Sequence, residues 1–306
     1  MEILKVVIPA TELGIPFLPL SKTCTPAMLP LQEKPALHYI VQEALQSGLK
    51  NFSIITQQSD PSVGSYFGNN TVLKDLLKAT GKETLLEELD RIIKHAEFSY
   101  IHQEEPLGIG HALWLARHFI GKEHFGISLP HDIVVSKIPA MEQIIKIARQ
   151  EKASVIAVQE LPSEFLSHYS VIGLKKQLSH SLMHVSHIEN KPNTKTIPSS
   201  YAIVGRYIMS HKLFSCVEET MTNSIGEQLE LHDVINTMIH KGEKVLAYKI
   251  QGIRYDIKTP LGWTKAIIGM ALQSSHYAPH IQRFLDELGT TNSFLYNANK
   301  TIEHIY

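Results

Sequence analysis

Residues 5–35 read KVVIPATELGIPFLPLSKTCTPAMLPLQEKP, and this stretch decides the fold. Val6, Val7 and Ile8 form a short apolar run ending at Pro9, the pattern of a strand buried on both faces. A loop through Gly14 follows, braced by Pro16, Pro19, Pro26, Pro30 and Pro35. Leu37, Ile40, Val41, Ala44 and Leu45 then recur at helical spacing, and the helix stops near Gly48. Nucleotide-binding α/β folds begin with a strand, a loop and a helix in this order.

The rest of the chain extends the pattern. Residues 52–57 predict a second buried strand, which makes the 36–47 helix the crossover of a parallel βαβ unit. Helix is expected over 71–95 with a break at Gly81, then strand over 97–101, helix through Leu113, Leu115 and Ala116, and strand over 125–130. A helix over 139–150 and a strand over 153–158 follow. Beyond this point, 169–173 and 182–189 read as hairpin strands, 201–209 and 244–250 as strands, and 233–239 and 261–288 as helices. The alternation predicts an α/β fold, Rossmann-like, with a central mixed and mostly parallel sheet flanked by helices. One domain over 1–288 and a C-terminal tail over 289–306 are expected, without an internal repeat.

Composition excludes several classes. At 306 residues and 43% hydrophobic content the chain can bury a sizeable core. A formal charge of −1 gives no electrostatic footprint for nucleic acid or an anionic membrane. No run of 18 apolar residues is present to span a membrane. Lys5 interrupts the N-terminal apolar run, which argues against a signal peptide. Cys24 and Cys216 match no metal-ligand spacing and suggest a reducing compartment. The cytoplasm is the expected location. His180, His184 and His187 have a spacing that would suit a helical metal site, but the region reads as strands, so unligated surface histidines are the expectation.

Several motifs line up along this frame. They are Thr11 to Pro30 in the first loop, Gln103 with Leu107-Gly108-Ile109-Gly110-His111-Ala112, and Leu129-Pro130-His131-Asp132. Further on come Tyr169-Ser170-Val171-Ile172, Asn190-Lys191-Pro192 ahead of Ala202-Ile203-Val204-Gly205-Arg206-Tyr207, the stretch from Gly226 to Asp233, and Tyr255-Asp256-Ile257-Lys258-Thr259-Pro260. Taken together they resemble the bacterial UTP–glucose-1-phosphate uridylyltransferases, over nearly the whole chain from Lys5 to about Ala271. The resemblance implies a sugar nucleotidyltransferase that joins UTP and glucose 1-phosphate into UDP-glucose and releases pyrophosphate. Mg2+ is the implied cofactor and a homo-oligomer the implied assembly.

The resemblance also assigns roles. Leu13 and Gly14 would face the nucleotide phosphates, and Gln103, Gly108, Gly110 and His111 would hold the uridine, the glutamine amide pairing with a uracil edge. Ser170, Glu189, Asn190 and Lys191 would contact the sugar and its phosphate, Asn190 standing where the family has glutamate. Lys22 and Lys191 are the candidate catalytic cations, and Asp132 and Asp256 the candidate metal ligands.

This chain departs from the family at the chemistry. Glu12 stands at a family glycine, Pro16 at the arginine, Pro26 at the lysine, His131 at the metal aspartate and Lys258 at another glycine. A carboxylate near a triphosphate is the wrong sign: like charges ~4 Å apart repel by roughly 4 kcal/mol at a surface site. Losing one transition-state donor costs on the order of 10²–10³ in rate. A uridylyltransferase of weak or lost activity is therefore expected. The alternative is a non-catalytic homologue that binds a sugar nucleotide or pairs with an active paralogue.

Overall fold

The structure, a computed structural model, describes residues 1–57, 60–223 and 228–290. Its strands are β1 (Lys5–Ala10), β2 (Pro30–Leu31), β3 (Lys34–Pro35), β4 (Asn51–Gln57), β5 (Glu97–Gln103), β6 (Phe125–Ser128), β7 (Asp132–Val135), β8 (Ser154–Glu160), β9 (Ser170–Gln177), β10 (Leu182–Asn190), β11 (Tyr201–Met209), β12 (Val245–Lys249) and β13 (Ile253–Asp256). Nine of them form one sheet in the order β5-β4-β1-β6-β11-β8-β12-β10-β9. β5, β4, β1 and β6 run parallel, β11 opposes β6 and β8, β12 runs parallel with β8, and β10 opposes β12 and β9. The sheet is thus mixed, as the strand–helix alternation implies: seven of its nine strands run the same way, but the reversed β11 and β10 make its neighbouring pairs four parallel and four antiparallel. A second, small sheet pairs β7 with β13, Asp132 lying opposite Asp256.

The absence of polar alternation in β1 has a direct cause. Val6 and Ile8 point into one core layer, with Phe52, Ile54 and the helices Ala36–Gln46 and Ala140–Glu151. Val7 points into the other, with Ile55, Ile127, Ile156 and the helices Ile109–Leu115, Leu213–Asn223 and Leu231–His240. Both faces of the sheet are covered, so the strand is apolar at every position after Lys5.

Within the first of these layers lies a buried ion pair. Arg206, fully buried in the middle of β11, donates from Nε and Nη2 to the Glu43 carboxylate at 3.0 and 2.8 Å. Glu43 also accepts the Met141 N–H at 3.0 Å, and Arg206 Nη1 donates to the Leu129 and Gly205 carbonyls. A planar guanidinium with five donors suits this junction, because it can bind a carboxylate bidentately and still satisfy main-chain oxygens. The pair ties the crossover helix to the segment that carries His131 and Asp132.

The structure departs from the sequence reading in several places. The helix expected over 261–288 is two, Pro260–Gln273 and Ala278–Thr290, so the expected tail boundary at 288 falls inside a helix. The remainder of that tail, 291–306, lies outside the described residues, as do Gly226 and Glu227. Helix Leu213–Asn223 and the short strands β7 and β13 have no counterpart in the sequence reading. Among the described residues no helix is long and apolar enough to cross a membrane.

Candidate functional site

A cavity of ≈ 560 Å³ opens at the carboxyl edge of the parallel strands, where open α/β sheets place their ligands. Each wall comes from the end of an element. Glu12 follows β1, Gln103 closes β5, His131 and Asp132 follow β6, Ser170 begins β9, Asn190 and Lys191 close β10, and Asp256 and Lys258 close β13. The middle of β11 contributes Ile203, Gly205 and Tyr207.

The first loop has become a packed turn. Gly14 has φ +63°, and a Cβ there would fall 2.6 Å from Pro26 Cγ. Pro26 is buried, so the proline at the position of the family's lysine is part of the loop's own core. Leu13, Gly14, Ile15, Pro16 and Phe17 line the cavity. Lys22 is exposed at the end of a 3-10 turn and does not line it.

Charge is arranged in pairs. Glu12 Oε1 lies 2.8 Å from His131 Nδ1, an ion pair too bent to be a straight hydrogen bond. Burial pushes the Glu12 carboxyl up, but His131 and then Lys258 outweigh it and hold the group at about 2. Asp132 accepts from Arg254 Nε at 2.6 Å with one oxygen and from the Gly205 N–H at 2.8 Å with the other. Asp132 is only 2% exposed. Burial raises the Asp132 carboxyl; Arg254 and His131 more than offset this and hold it well below the carboxylate range. Arg254 in turn lies over the Tyr169 ring, 4.6 Å from its centroid. Asp256 Oδ1 accepts the Lys258 N–H at 3.0 Å.

The uridine-side residues are brought together, with a difference of cause. Gln103 is buried, and its Nε2 donates to the Gly108 carbonyl at 3.2 Å and meets His111 Nδ1 at 2.9 Å. Gly108 (φ +91°) lines the cavity, yet its close neighbour is the Leu229 main chain, 2.6 Å from where a Cβ would stand. Gly110 likewise meets Leu229, and its N–H donates to the Leu229 carbonyl at 2.8 Å. The two glycines therefore admit the segment around Leu229; neither His111 nor Gly110 lines the cavity.

On the sugar side, Ser170 Oγ donates to Asn190 Oδ1 at 3.0 Å, and both line the cavity with Lys191. Lys191 has φ +48°, its N–H held by the Tyr169 carbonyl at 3.0 Å. Glu189 pairs with Val171 one residue back, so it projects to the opposite face of β10 and does not line the cavity. The pairing of β10 with β9 is irregular only between His184 and His187, so the register at Glu189 and Asn190 is regular.

A family model described as nucleotidyl transferase matches residues 12–303. The chain is 36% identical over 289 residues to the UTP–glucose-1-phosphate uridylyltransferase of Staphylococcus haemolyticus (strain JCSC1435), across 94% of this chain and 99% of that protein. It belongs to that family. Another relative is the UTP–glucose-1-phosphate uridylyltransferase YngB of Bacillus subtilis (strain 168), 35% identical across 94% of this chain and 96% of that protein. Among solved structures, a UTP-bound UGPase from Acinetobacter baumannii superposes with a TM-score of 0.86 at 28% identity, across 94% of this chain and 100% of that chain. A UDP-glucose pyrophosphorylase complexed with UDP-glucose superposes at 0.81 and 29%, across 89% and 100%.

For a uridylyltransferase that would use Mg2+, two of the acidic groups of this site, Asp132 and Glu12, are engaged by other partners. That ion demands several oxygen ligands in near-octahedral array. Both Asp132 oxygens already accept hydrogen bonds, one of them from a guanidinium, and Glu12 is tied to an imidazole. Among the described residues no group of three or more His, Cys, Asp or Glu is placed to hold a metal ion.

Sequence reasoning missed Arg254 and the Glu12–His131 pair. Arg254 and Asp256 stand two apart on one strand, which puts both side chains on one face. A carboxylate at position 12 and an imidazole at 131, each able to bind the other, were a readable signal of pairing.

Proposed function

We propose that this uridylyltransferase homologue binds a uridine diphosphate sugar at the carboxyl edge of its sheet and has lost efficient transfer. The ion pair of Glu12 with His131 carries the reading. It fills, with a carboxylate and an imidazole, the positions at which the family resemblance expects a phosphate-facing glycine and a metal aspartate. A triphosphate entering here meets a carboxylate, and a dication finds Arg254 already on Asp132. Uridine recognition is retained in this reading. With Nε2 committed to Gly108 and His111, Gln103 Oε1 is the atom left to accept a base N–H. Asn190, Ser170 and Lys191 supply hydroxyl and phosphate contacts for the sugar end. The cytoplasm, where sugar nucleotides are made, is the compartment proposed, and a homo-oligomer the assembly.

A coupled pyrophosphate-release assay with UTP, glucose 1-phosphate and Mg2+ tests this, alongside melting curves with UDP-glucose. The expected outcome is turnover at least ~10³-fold below an active family member, because more than one transition-state contact is gone. UDP-glucose should raise the melting temperature, since a ligand bound only by the native state stabilises it. Turnover within a few-fold of the active enzyme overturns the loss of transfer. Absence of any shift with uridine nucleotides overturns the binding role and leaves pairing with an active paralogue.

A further inference from the structure

Four carboxylates line the cavity: Glu12, Asp132, Asp256 and Glu230. Glu12 is matched by His131 and Asp132 by Arg254. The remaining cations of the lining, Lys191 and Lys258, are both exposed, and among the described residues neither has a carboxylate within ion-pair distance. Their ammonium groups are therefore available to a ligand, and of the four acids Glu12 and Asp132 already have partners of their own.

Lys258 is rooted more firmly than its exposure suggests. The Ile257 N–H donates to the His131 carbonyl at 2.9 Å, and Ile257 is buried. The Lys258 N–H is held by Asp256 Oδ1 at 3.0 Å. Directly after it, Thr259 caps the helix Pro260–Gln273 through Oγ1 and the Gly262 N–H at 3.1 Å. The main chain of residue 258 is fixed beside His131, between a strand end and a helix start. The ammonium acts on both nearby acids, helping to lower the Glu12 and Asp132 carboxyls.

Resting on the ligand reading above, we propose that Lys258 supplies, as part of the chain, the positive charge that neutralises the diphosphate of the bound sugar nucleotide, so that binding needs no divalent cation. Lys191 assists from the far end of β10. An ammonium carries three donors and can bridge two phosphate oxygens without ordered coordination geometry. It also repels a dication from Asp132 and Asp256, which completes the exclusion begun by Arg254.

Titration calorimetry of the full chain with UDP-glucose, in chelator and in millimolar Mg2+, tests this. The wild-type Kd should agree within about twofold between the two conditions. Lys258→Met should raise the Kd in chelator about ten- to a hundredfold, the size of one charge-assisted contact. It should leave the affinity for uridine, which lacks the diphosphate, unchanged. Binding that tightens tenfold or more with Mg2+, or a Lys258→Met variant of unaltered Kd, overturns the proposal and leaves the ligand reading intact. Absence of UDP-glucose binding in both conditions overturns both.

Discussion

Arg254 Nε donates to Asp132 Oδ1 across 2.6 Å, joining side chains 122 residues apart in a setting where the arginine side chain is 7% exposed and the aspartate 3%. A buried charge without its partner is far worse than a buried pair. Arg254→Met should therefore lower stability by about 3–5 kcal/mol, read from the urea midpoint at constant m-value. Adding Asp132→Asn should recover part of the loss, because the stranded charge is then removed.

Glu12 gives an acid signature. Its folded-state pKa of about 2 lies below the ordinary 4.5, so the contribution to stability is full above about 4.5 and is lost as pH falls toward 2. Stability curves between these limits should fall less steeply for Glu12→Gln than for wild type. Parallel curves would show that the His131 contact does not hold the carboxylate.

The Arg206–Glu43 pair should respond as a buried network. Glu43→Ala leaves the guanidinium unpaired and should destabilise by about 3–5 kcal/mol. The double variant Glu43→Leu with Arg206→Met should lie much closer to wild type, since removing both charges also removes their desolvation. Denaturant unfolding of the wild type and both variants measures the difference.

At Gly14 both backbone and space resist a side chain. Gly14→Ala should cost about 1–3 kcal/mol, for the positive φ and for the contact 2.6 Å from Pro26 Cγ. In a Pro26→Ala background the same change should cost less, because the second of these terms is relieved. Additive losses would mean that the proline does not set the loop.

Some of this was legible in the sequence and some was not, for physical reasons. Val6 to Ile8 is apolar without alternation, which only a strand covered on both faces explains, and this placed the sheet. Tyr201 to Met209 was readable as a strand, but the partner of Arg206 was not, because Glu43 sits 163 residues away on a helix whose pattern has no need of it. The burial of Asp132 was hidden in the same way: it depends on Arg254 from a four-residue strand too short to show a period. Gly108 and Gly110 read as ligand-facing glycines, whereas their immediate neighbour is Leu229, a contact no local pattern encodes.

The proline ring beside Gly14 bears on how this lineage can change. Pro26→Lys alone would take apart the hydrophobic seat of the loop while Glu12 and His131 stay clasped. Glu12→Gly alone would strand a buried imidazole, and His131→Asp alone would set acid against acid. Each of these replacements by itself costs packing or leaves a buried group without its neighbour, so the three positions constrain one another's evolution.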